Sequence, residues 1–112
     1  MKILQLIDSL EAGGAERMAV NYANSLGSRI EFSALAATRK EGPLKERLNE
    51  NVSYLFLERK RTFDLKAVSK LKKFIKEQQI QIIHAHGTSF FLAVLLKLTY
   101  PKIKIVWHDH HG

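Results

Sequence analysis

The period of the apolar residues changes several times along this chain, and each change marks a predicted element. The segment KILQLID at residues 2–8 is short and rich in branched residues, which is typical of a buried strand. Between Ala15 and Leu26 the apolar residues follow helical spacing, and Gly27 stands where a helix end favours glycine. The segment Ile30–Ala37 is apolar again and predicts a second strand.

The same alternation continues to the end of the chain. Glycine and proline interrupt the pattern after the second strand, and the later apolar segments alternate between helix and strand lengths. The predicted elements are a short helical segment over Leu44–Asn49, a strand at Val52–Leu57, a helix over Leu65–Gln78 with Asp64 as its N-cap, a strand at Ile80–His84, a helix capped by Thr88 or Ser89 that runs to about Thr99, and a strand at Ile103–His108.

Alternating strands and helices predict a parallel sheet that is covered by helices on both faces. We therefore expect an α/β fold, a Rossmann-like three-layer α/β/α arrangement with a mostly parallel five-stranded sheet in the order 3-2-1-4-5. The strand order then reverses between strands one and four, and ligands of such sheets bind there, outside the carboxyl ends of the strands. A length of 112 residues fits one domain.

Two adjacent glycines, Gly13 and Gly14, follow the first strand in the stretch EAGGAERMAV. Glycine allows a tight turn, and the helix N-terminus behind it offers N–H groups to a phosphate or a sugar hydroxyl. The spacing is not GxGxxG, so an ordinary dinucleotide site is poorly supported. Glu16, in the first helical turn, offsets the helix dipole itself and would compete with a bound anion. A tight connection without any ligand is the alternative interpretation.

All five histidines lie at the ends of two predicted strands. The motif HAHG places His84 and His86 at the end of strand four, and WHDHHG places the other three at the end of strand five. Residues two apart in an extended chain point to the same side, so His84 pairs with His86, and His108 pairs with His110. These four imidazoles and Asp109 are expected to gather at the sheet edge where ligands bind.

Three interpretations of the histidines compete. They are hydrogen-bonded packing and loop residues, or a metal site, since H-x-H pairs chelate zinc, or groups for polar recognition and acid–base work on a hydroxylated substrate. The run HDHH is also similar to the metal-ligand runs of metallo-β-lactamase-like hydrolases, whose fold needs a longer chain with further ligands. The residues alone leave these interpretations open. The third is favoured mainly because of the family resemblance described next, and we expect no metal.

In their order along the chain, three segments resemble the N-terminal domain of a GT-B glycosyltransferase of the large retaining family four. They are KILQLIDSLEAGGAER at the start, IIHAHG at 82–87 and IVWHDHHG at 105–112. Members of that family open with a strand that ends in a Gly-Gly-Ala-Glu loop, and their fourth and fifth strands end in histidine motifs. Each motif is weak alone, but the ordered trio is fairly specific and spans the whole chain.

The resemblance implies a role for the loop after the first strand and for the fourth strand. Gly13 and Gly14 match the family loop that lies against the donor phosphate and the acceptor, and Glu16 matches the end of that motif by similarity. His84 and His86 match the fourth-strand pattern, and we expect them to contact the sugar or the acceptor.

The fifth strand supplies the expected catalytic residues. His110 best matches the family histidine that contacts the transferred sugar, while His108 is an extra histidine where the family often has threonine. The choice between His108 and His110 stays open on the sequence, and Asp109 between them is a third candidate contact to the sugar or the acceptor. No cofactor is expected.

The same resemblance implies the partners and the domain organisation. The partners are a nucleotide-sugar donor, a UDP- or GDP-sugar, and a glycan or lipid-linked acceptor, in cell-surface polysaccharide synthesis. Family members hold most of the nucleotide with a second Rossmann-like domain, which these residues do not contain. We therefore expect residues 1–112 to form a partial, acceptor-side N-terminal domain that is inactive alone. The alternatives are a stand-alone anion- or nucleotide-binding module without catalysis and a fragment of a metal-dependent hydrolase.

Eighteen Lys and Arg against eleven Asp and Glu give a net charge of +7, which favours anionic partners. The segment Arg59–Lys76 contains eight of these basic residues and one acidic residue. The simplest interpretation is a solvated helix face, and the functional hypothesis is docking on an anionic membrane surface. Nucleic acid is not expected, because no reader motif is present.

Two apolar segments bear on the compartment. Gln5 and Asp8 interrupt the N-terminal apolar run, so it does not resemble a signal peptide, and the run Phe90–Leu96 is too short to span a membrane. There is no cysteine, and nothing requires an oxidising compartment. We expect a cytoplasmic protein, with peripheral contact to the inner face of the cell membrane.

Overall fold

The computed structural model describes residues 1–108 of the 112 residues. Its strands and helices follow one another in strict alternation, apart from one strand pair that a short 3₁₀ turn connects. The elements are β1 (Lys2–Ser9), α1 (Gly14–Gly27), β2 (Phe32–Lys40), a 3₁₀ turn (Pro43–Arg47), β3 (Val52–Phe56), α2 (Leu65–Gln78), β4 (Ile82–His86), a second 3₁₀ turn (Gly87–Ser89), α3 (Phe90–Thr99) and β5 (Lys104–His108).

The five strands form one sheet in the order β3-β2-β1-β4-β5, and all four strand pairs are parallel. This confirms the predicted α/β fold and strand order. The register places Gln5 of β1 beside Leu35 of β2 on one side and beside His84 of β4 on the other. In the outer pair, His86 of β4 lies beside His108 of β5. The carboxyl ends of the strands therefore bring the fourth- and fifth-strand histidines to one edge.

Each face of the sheet packs against its own helix layer, because neighbouring residues of a strand point to opposite faces. On one face α1 packs against β1 and β2 over a cluster of buried aliphatic residues that includes Leu35. On the other face α2 and α3 cover a larger cluster that includes Leu6, Leu71 and Leu96. We call the first face the α1 face of the sheet.

Helix α2 begins as the sequence predicts, with Asp64 as its N-cap. The Asp64 carboxylate accepts hydrogen bonds from the backbone N–H groups of Lys66 and Ala67, at 3.1 and 3.2 Å. The backbone N–H of Lys60, together with these two groups, holds the pKa of the Asp64 carboxyl below its usual range. This capping contribution to stability is therefore complete above the ordinary carboxyl pKa and is lost as the pH falls through the lowered one.

The predicted strand Ile80–His84 was placed two residues too early. The N–H of Ile80 still donates to the carbonyl of Ile75, so this residue closes the end of α2, and β4 begins at Ile82. His84 consequently lies inside the strand and His86 is its last residue. Similarly, the second strand begins at Phe32 rather than at residue 30.

Ser89, one of the two predicted caps of the next helix, lies at its N-cap position. A 3₁₀ turn precedes α3, and Ser89 occupies its N-cap position without a capping hydrogen bond from its side chain. The Ser89 hydroxyl instead lies 2.8 Å from the carbonyl oxygens of Leu6 and His86 and accepts from the His86 N–H. Among residues 1–108, no helix has both the length and the apolar character that crossing a bilayer requires.

Candidate functional site

Three histidines meet on the α1 face at the edge formed by β4 and β5. The ring centroids of His84 and His86 are 4.2 Å apart, and His108 lies 5.7 Å from His84 and 5.9 Å from His86. The rings of His84 and His108 are parallel, with an interplanar angle of 2°. We call these three residues the histidine cluster. Three of the four imidazoles that were expected to gather at the carboxyl edge of the sheet therefore lie together.

Tyr22 of α1 lies against the histidine cluster, which the helical pattern did not reveal. Its ring centroid is 4.9 Å from that of His84, 6.0 Å from His86 and 6.3 Å from His108. The apolar stripe of α1 predicts Tyr22 as a core residue, but 39% of it is exposed. Because α1 sits over β1 and β2, its far flank reaches only to the border of β4, and the tyrosine ring becomes a wall of the site.

His86 is held on both sides and is 1% exposed. Its Nε2 atom lies 2.7 Å from Oε1 of Gln5, a buried residue of β1, and its ring also accepts the backbone N–H of Ser89. An amide oxygen can bond only to a protonated ring nitrogen, so Nε2 carries the hydrogen and Nδ1 accepts from Ser89. His86 therefore connects β1, β4 and the following turn.

The histidine cluster has the dimensions of a metal triad. One ring nitrogen from each of the three residues lies within 4.8 Å of the others, and zinc accepts imidazole ligands. A zinc ion bound by His86 would have to replace one of the hydrogen bonds that this ring makes to Gln5 or Ser89. His84 and His108 are only partly buried. Metal ligation by all three rings would therefore cost His86 one of its hydrogen bonds.

The glycine turn lies at the N-terminus of α1, where Gly13 is the N-cap and Gly14 the first helical residue. A Cβ atom on Gly13 would come within 2.6 Å of the Glu16 carboxylate, which folds back over the turn and accepts a hydrogen bond from the Ser9 hydroxyl at 3.2 Å. A Cβ atom on Gly14 would meet no heavy atom within 4 Å apart from its chain neighbours and the backbone of its own helix. There is thus free space beside Gly14, while the Glu16 carboxylate lies beside Gly13.

A buried carboxylate joins the ends of several strands, and the sequence analysis missed it. Asp8 of β1 accepts hydrogen bonds from the hydroxyls of Thr38, at 2.5 Å, and Thr88. The Arg59 guanidinium lies 3.6 Å from the same carboxylate, and both side chains are 11% exposed. Asp8 thereby ties β2, the segment after β3 and the turn after β4 to β1. The only available signal was a single acid inside an otherwise apolar strand.

Arg59 does not belong to the exposed basic face to which the sequence assigned it. Its guanidinium is mostly buried beside Asp8, and its Nε atom has no hydrogen-bond partner among the described residues. The N–H of Arg59 also donates to the carbonyl of Thr38 at 2.6 Å, after Glu58 has adopted a left-handed backbone conformation with φ of 54°. The exposed basic residues of this segment therefore begin at Lys60.

The turn after β4 is fixed by a glycine and a tryptophan. Gly87 has φ of 59°, a region that residues with a side chain rarely adopt. The Trp107 indole N–H donates to the carbonyl of Gly87 at 3.1 Å, and its ring stacks on Phe90 with a centroid distance of 4.7 Å. The fifth strand thus supports the turn that positions His86, in addition to carrying His108.

Two of the predicted site residues, Asp109 and His110, lie outside the described residues. The choice between His108 and His110 as the histidine that faces the sugar therefore stays a prediction. Of the other predicted site residues, His84, His86 and His108 come together in the histidine cluster.

The comparisons with known proteins bear on the chain as a whole. The family model described as Glycosyltransferase Family 4 matches residues 12–112, which is nearly the full length. The match includes the glycine turn and all five histidines, but β1 lies before it. A search of curated proteins found no match.

Proposed function

The chain belongs to glycosyltransferase family 4 and has the fold of a GT-B N-terminal domain, and from this membership we propose that it is the acceptor-side part of a retaining glycosyltransferase. The reaction is the transfer of a sugar from a nucleotide-sugar donor, a UDP- or GDP-sugar, to a glycan or lipid-linked acceptor. The observation that carries the proposal is the histidine cluster, which presents two partly exposed imidazoles at the carboxyl edge of a parallel sheet.

Within this proposal the site residues have different tasks. His84 and His108 hydrogen-bond to sugar hydroxyls, and His86 keeps β4 and its turn in place. The open space beside Gly14 receives the ligand at the glycine turn. The Glu16 carboxylate repels a phosphate at the helix N-terminus, but it can accept a hydrogen bond from a hydroxyl group, as it does from Ser9. With Glu16 in this position, the turn favours the acceptor or the sugar over the donor phosphate. Binding of the phosphate requires the Glu16 side chain to move aside.

The remaining parts of the proposal concern the surroundings of the site. The 112 residues alone bind sugar without transferring it, because the nucleotide needs contacts beyond those that this domain offers. The biological setting is the synthesis of a cell-surface polysaccharide in the cytoplasm. The exposed basic residues of the segment Arg59–Lys76, which begin at Lys60, bring the protein to the anionic inner face of the cell membrane, where a lipid-linked acceptor is available.

The test follows the histidine ring signals in NMR spectra of the purified chain, assigned with single histidine variants. The probes are UDP-glucose, GDP-mannose, the nucleotides UDP and GDP, and octyl glucoside as a soluble lipid-linked sugar. We expect the sugar-bearing probes to shift the signals of His84 and His108, and we expect His84→Ala to weaken that binding. The control Lys102→Gln, on the segment between α3 and β5, should bind as the unchanged protein does.

The outcomes separate the candidate functions. If UDP or GDP without a sugar shifts the same signals as strongly, the chain is a nucleotide-binding module, the alternative function. If no sugar-bearing probe shifts the signals of His84 and His108, the proposed sugar contacts are wrong. Detectable sugar transfer by the 112-residue chain would refute the proposal that it is inactive alone.

A further inference from the structure

The histidine cluster brings three imidazoles from two hydrogen-bonded strands to one face of the sheet. His84 and His86 are two positions apart in β4, so both side chains project to the α1 face. The strand register places His108 of β5 directly beside His86. One ring nitrogen from each residue lies within 4.8 Å of the other two, and no second group of three such potential ligands occurs among residues 1–108.

The nature of the donors selects the kind of metal ion. Imidazole nitrogens suit zinc, copper and nickel, whereas magnesium and calcium prefer oxygen ligands. Around a tetrahedral zinc ion with bonds of about 2.0–2.1 Å, neighbouring ligand nitrogens are about 3.4 Å apart. Separations of up to 4.8 Å between the nitrogens of the cluster therefore have to shorten by at most about 1.4 Å. Rotation of the side chains on a fixed pair of strands is sufficient for such a movement.

An ion from solvent has access to the histidine cluster. His84 and His108 are only partly buried, and the Tyr22 flank of α1 lies beside them. Three protein ligands leave the fourth position of a tetrahedral zinc ion to water or to another small ligand. The cluster therefore has the ligand number and the exposure of an open zinc site.

The surroundings of His86 suit a metal ligand. Metal-bound histidines generally donate their second ring N–H to an oxygen acceptor, which fixes the orientation of the ring. In His86 the Nε2 atom already has such a partner, because Oε1 of Gln5 lies 2.7 Å away. Ligation through Nδ1 then replaces the hydrogen bond from the Ser89 N–H and leaves the bond to Gln5 intact. The cost of recruiting His86 is thus one hydrogen bond to the backbone.

We propose that the histidine cluster binds one zinc ion through His84, His86 and His108, and that the bound ion prevents sugar from contacting His84 and His108. The second part rests on the proposed sugar contacts of these residues. A ring nitrogen whose lone pair is bound to a metal cannot accept a hydrogen bond from a sugar hydroxyl. Zinc is then an inhibitor of the site and not a cofactor of sugar transfer. This role is compatible with the family resemblance, from which no metal was expected.

The first test is isothermal titration calorimetry with zinc chloride on the purified 112-residue chain. The protein carries no polyhistidine tag and is freed of metal with EDTA before the titration. We expect one zinc ion per chain and no binding of magnesium. His84→Ala and His108→Ala should each weaken zinc binding by more than about tenfold, since even the loss of a residue that only supports a ligand costs roughly 10–100-fold. The control Lys102→Gln should bind zinc as the unchanged protein does.

The role of His86 is tested without substituting this buried residue. Long-range proton–nitrogen NMR spectra of the imidazole rings distinguish a metal-bound nitrogen from a protonated one. On addition of zinc, the Nδ1 signal of His86 should change to that of a metal-bound nitrogen while Nε2 keeps its hydrogen. A His86 ring whose nitrogen signals are unaffected by zinc would overturn its assignment as the third ligand.

The second part of the proposal is tested by competition. Zinc should weaken the binding of octyl glucoside to the unchanged protein, measured from the ring signals of the histidines. Zinc binding that leaves octyl glucoside binding unchanged would overturn the inhibition and leave the metal site intact. If no sugar-bearing probe binds to the zinc-free protein, the proposed function fails together with the inhibition, while the calorimetric titration still decides the metal site.

Two results would overturn the metal site itself. The first is the absence of zinc binding to the unchanged protein. The second is zinc binding that survives both His84→Ala and His108→Ala but is abolished in the double variant His110→Ala/His111→Ala. That result would assign the metal to the histidines at the end of the chain and not to the histidine cluster.

Discussion

The two halves of the α1 face have the same backbone arrangement and opposite contents. Over β1 and β2, α1 seals residues such as Ile7 and Leu35 into a core, and both are at most 4% exposed. Over β4 and β5, the equivalent strand positions carry His84 and His108, and only the Tyr22 flank of α1 reaches them. A single helix covers about two strands, so the uncovered strands of the same face are free to carry a site.

The side chains of every strand alternate between the two faces of the sheet, and on the α1 face this alternation serves packing in one half and, as proposed, ligand contact in the other. The difference is made by residue type and by the position of α1, while the ladder of hydrogen bonds is continuous. Gln5 marks the border, because it points to the α1 face beside Leu35 and accepts a hydrogen bond from His86. Substitutions in the two halves should therefore affect different measurements.

The largest effect is expected in the covered half. Leu35→Ala should lower the free energy of unfolding by about 3 kcal/mol, because Leu35 is fully buried and its removal leaves a cavity. Urea denaturation checks this, with Leu65→Ala as a control, since Leu65 is 78% exposed and should cost far less. Equal losses in the two variants would contradict a core centred under α1.

The next effect is expected at the carboxylate that joins the two halves. Asp8→Ala should destabilise the fold by about 2–3 kcal/mol, because it leaves the buried Arg59 without its carboxylate and two hydroxyls without their acceptor. A double-mutant cycle with Thr38→Val in urea denaturation measures the coupling between the two residues. Additive losses would mean that the contact between Asp8 and Thr38 contributes nothing.

Within the open half, His86 is expected to behave as a structural residue. His86→Ala should cost about 2 kcal/mol of stability, since a buried ring and two hydrogen bonds are lost. The companion variant Gln5→Leu removes the acceptor of the Nε2 hydrogen and should show a smaller loss. If His86→Ala had the same thermal denaturation midpoint as the unchanged protein, the two hydrogen bonds of the His86 ring would contribute nothing to stability, and the structural role of His86 would be refuted.

The smallest effect on stability is expected at the ligand-facing histidine. His84→Ala should change the free energy of unfolding by less than about 1 kcal/mol, because the ring is only partly buried. It should nevertheless weaken the binding of sugar-bearing probes, measured by NMR titration. If His84→Ala were strongly destabilised but bound sugar normally after correction for unfolding, His84 would be a core residue. The two halves of the α1 face would then not differ in function.

Much of the fold follows from local sequence. Residues such as Asp64 and the apolar positions of α2 specify a helix by themselves. The alternation of elements indicates a parallel sheet, and the structure has the expected order 3-2-1-4-5. The predicted ends of strands and helices were less accurate where hydrogen bonds to other parts of the chain compete with local sequence preferences. Ile80 completes α2 rather than starting a strand. Ser89 lies at the N-cap of α3, but its hydroxyl bonds to the backbone of β1 instead of to the helix.

For the candidate site, the sequence identified the histidines because their type and spacing are local properties. It determined that His84 and His86 share a side of a strand and that the fifth strand ends near them. Only the tertiary structure decided that His86 is fixed by Gln5 and Ser89 while His84 and His108 stay partly exposed.

The partners of Asp8 and Tyr22 also depended on the tertiary structure. Asp8 bonds to Thr38 and Thr88, which are 30 and 80 positions away, and Tyr22 meets histidines that lie on other strands. Periodicity shows which side of an element a residue occupies, but not which distant residue lies opposite. That pairing arises when the sheet register and the position of each helix bring remote segments together.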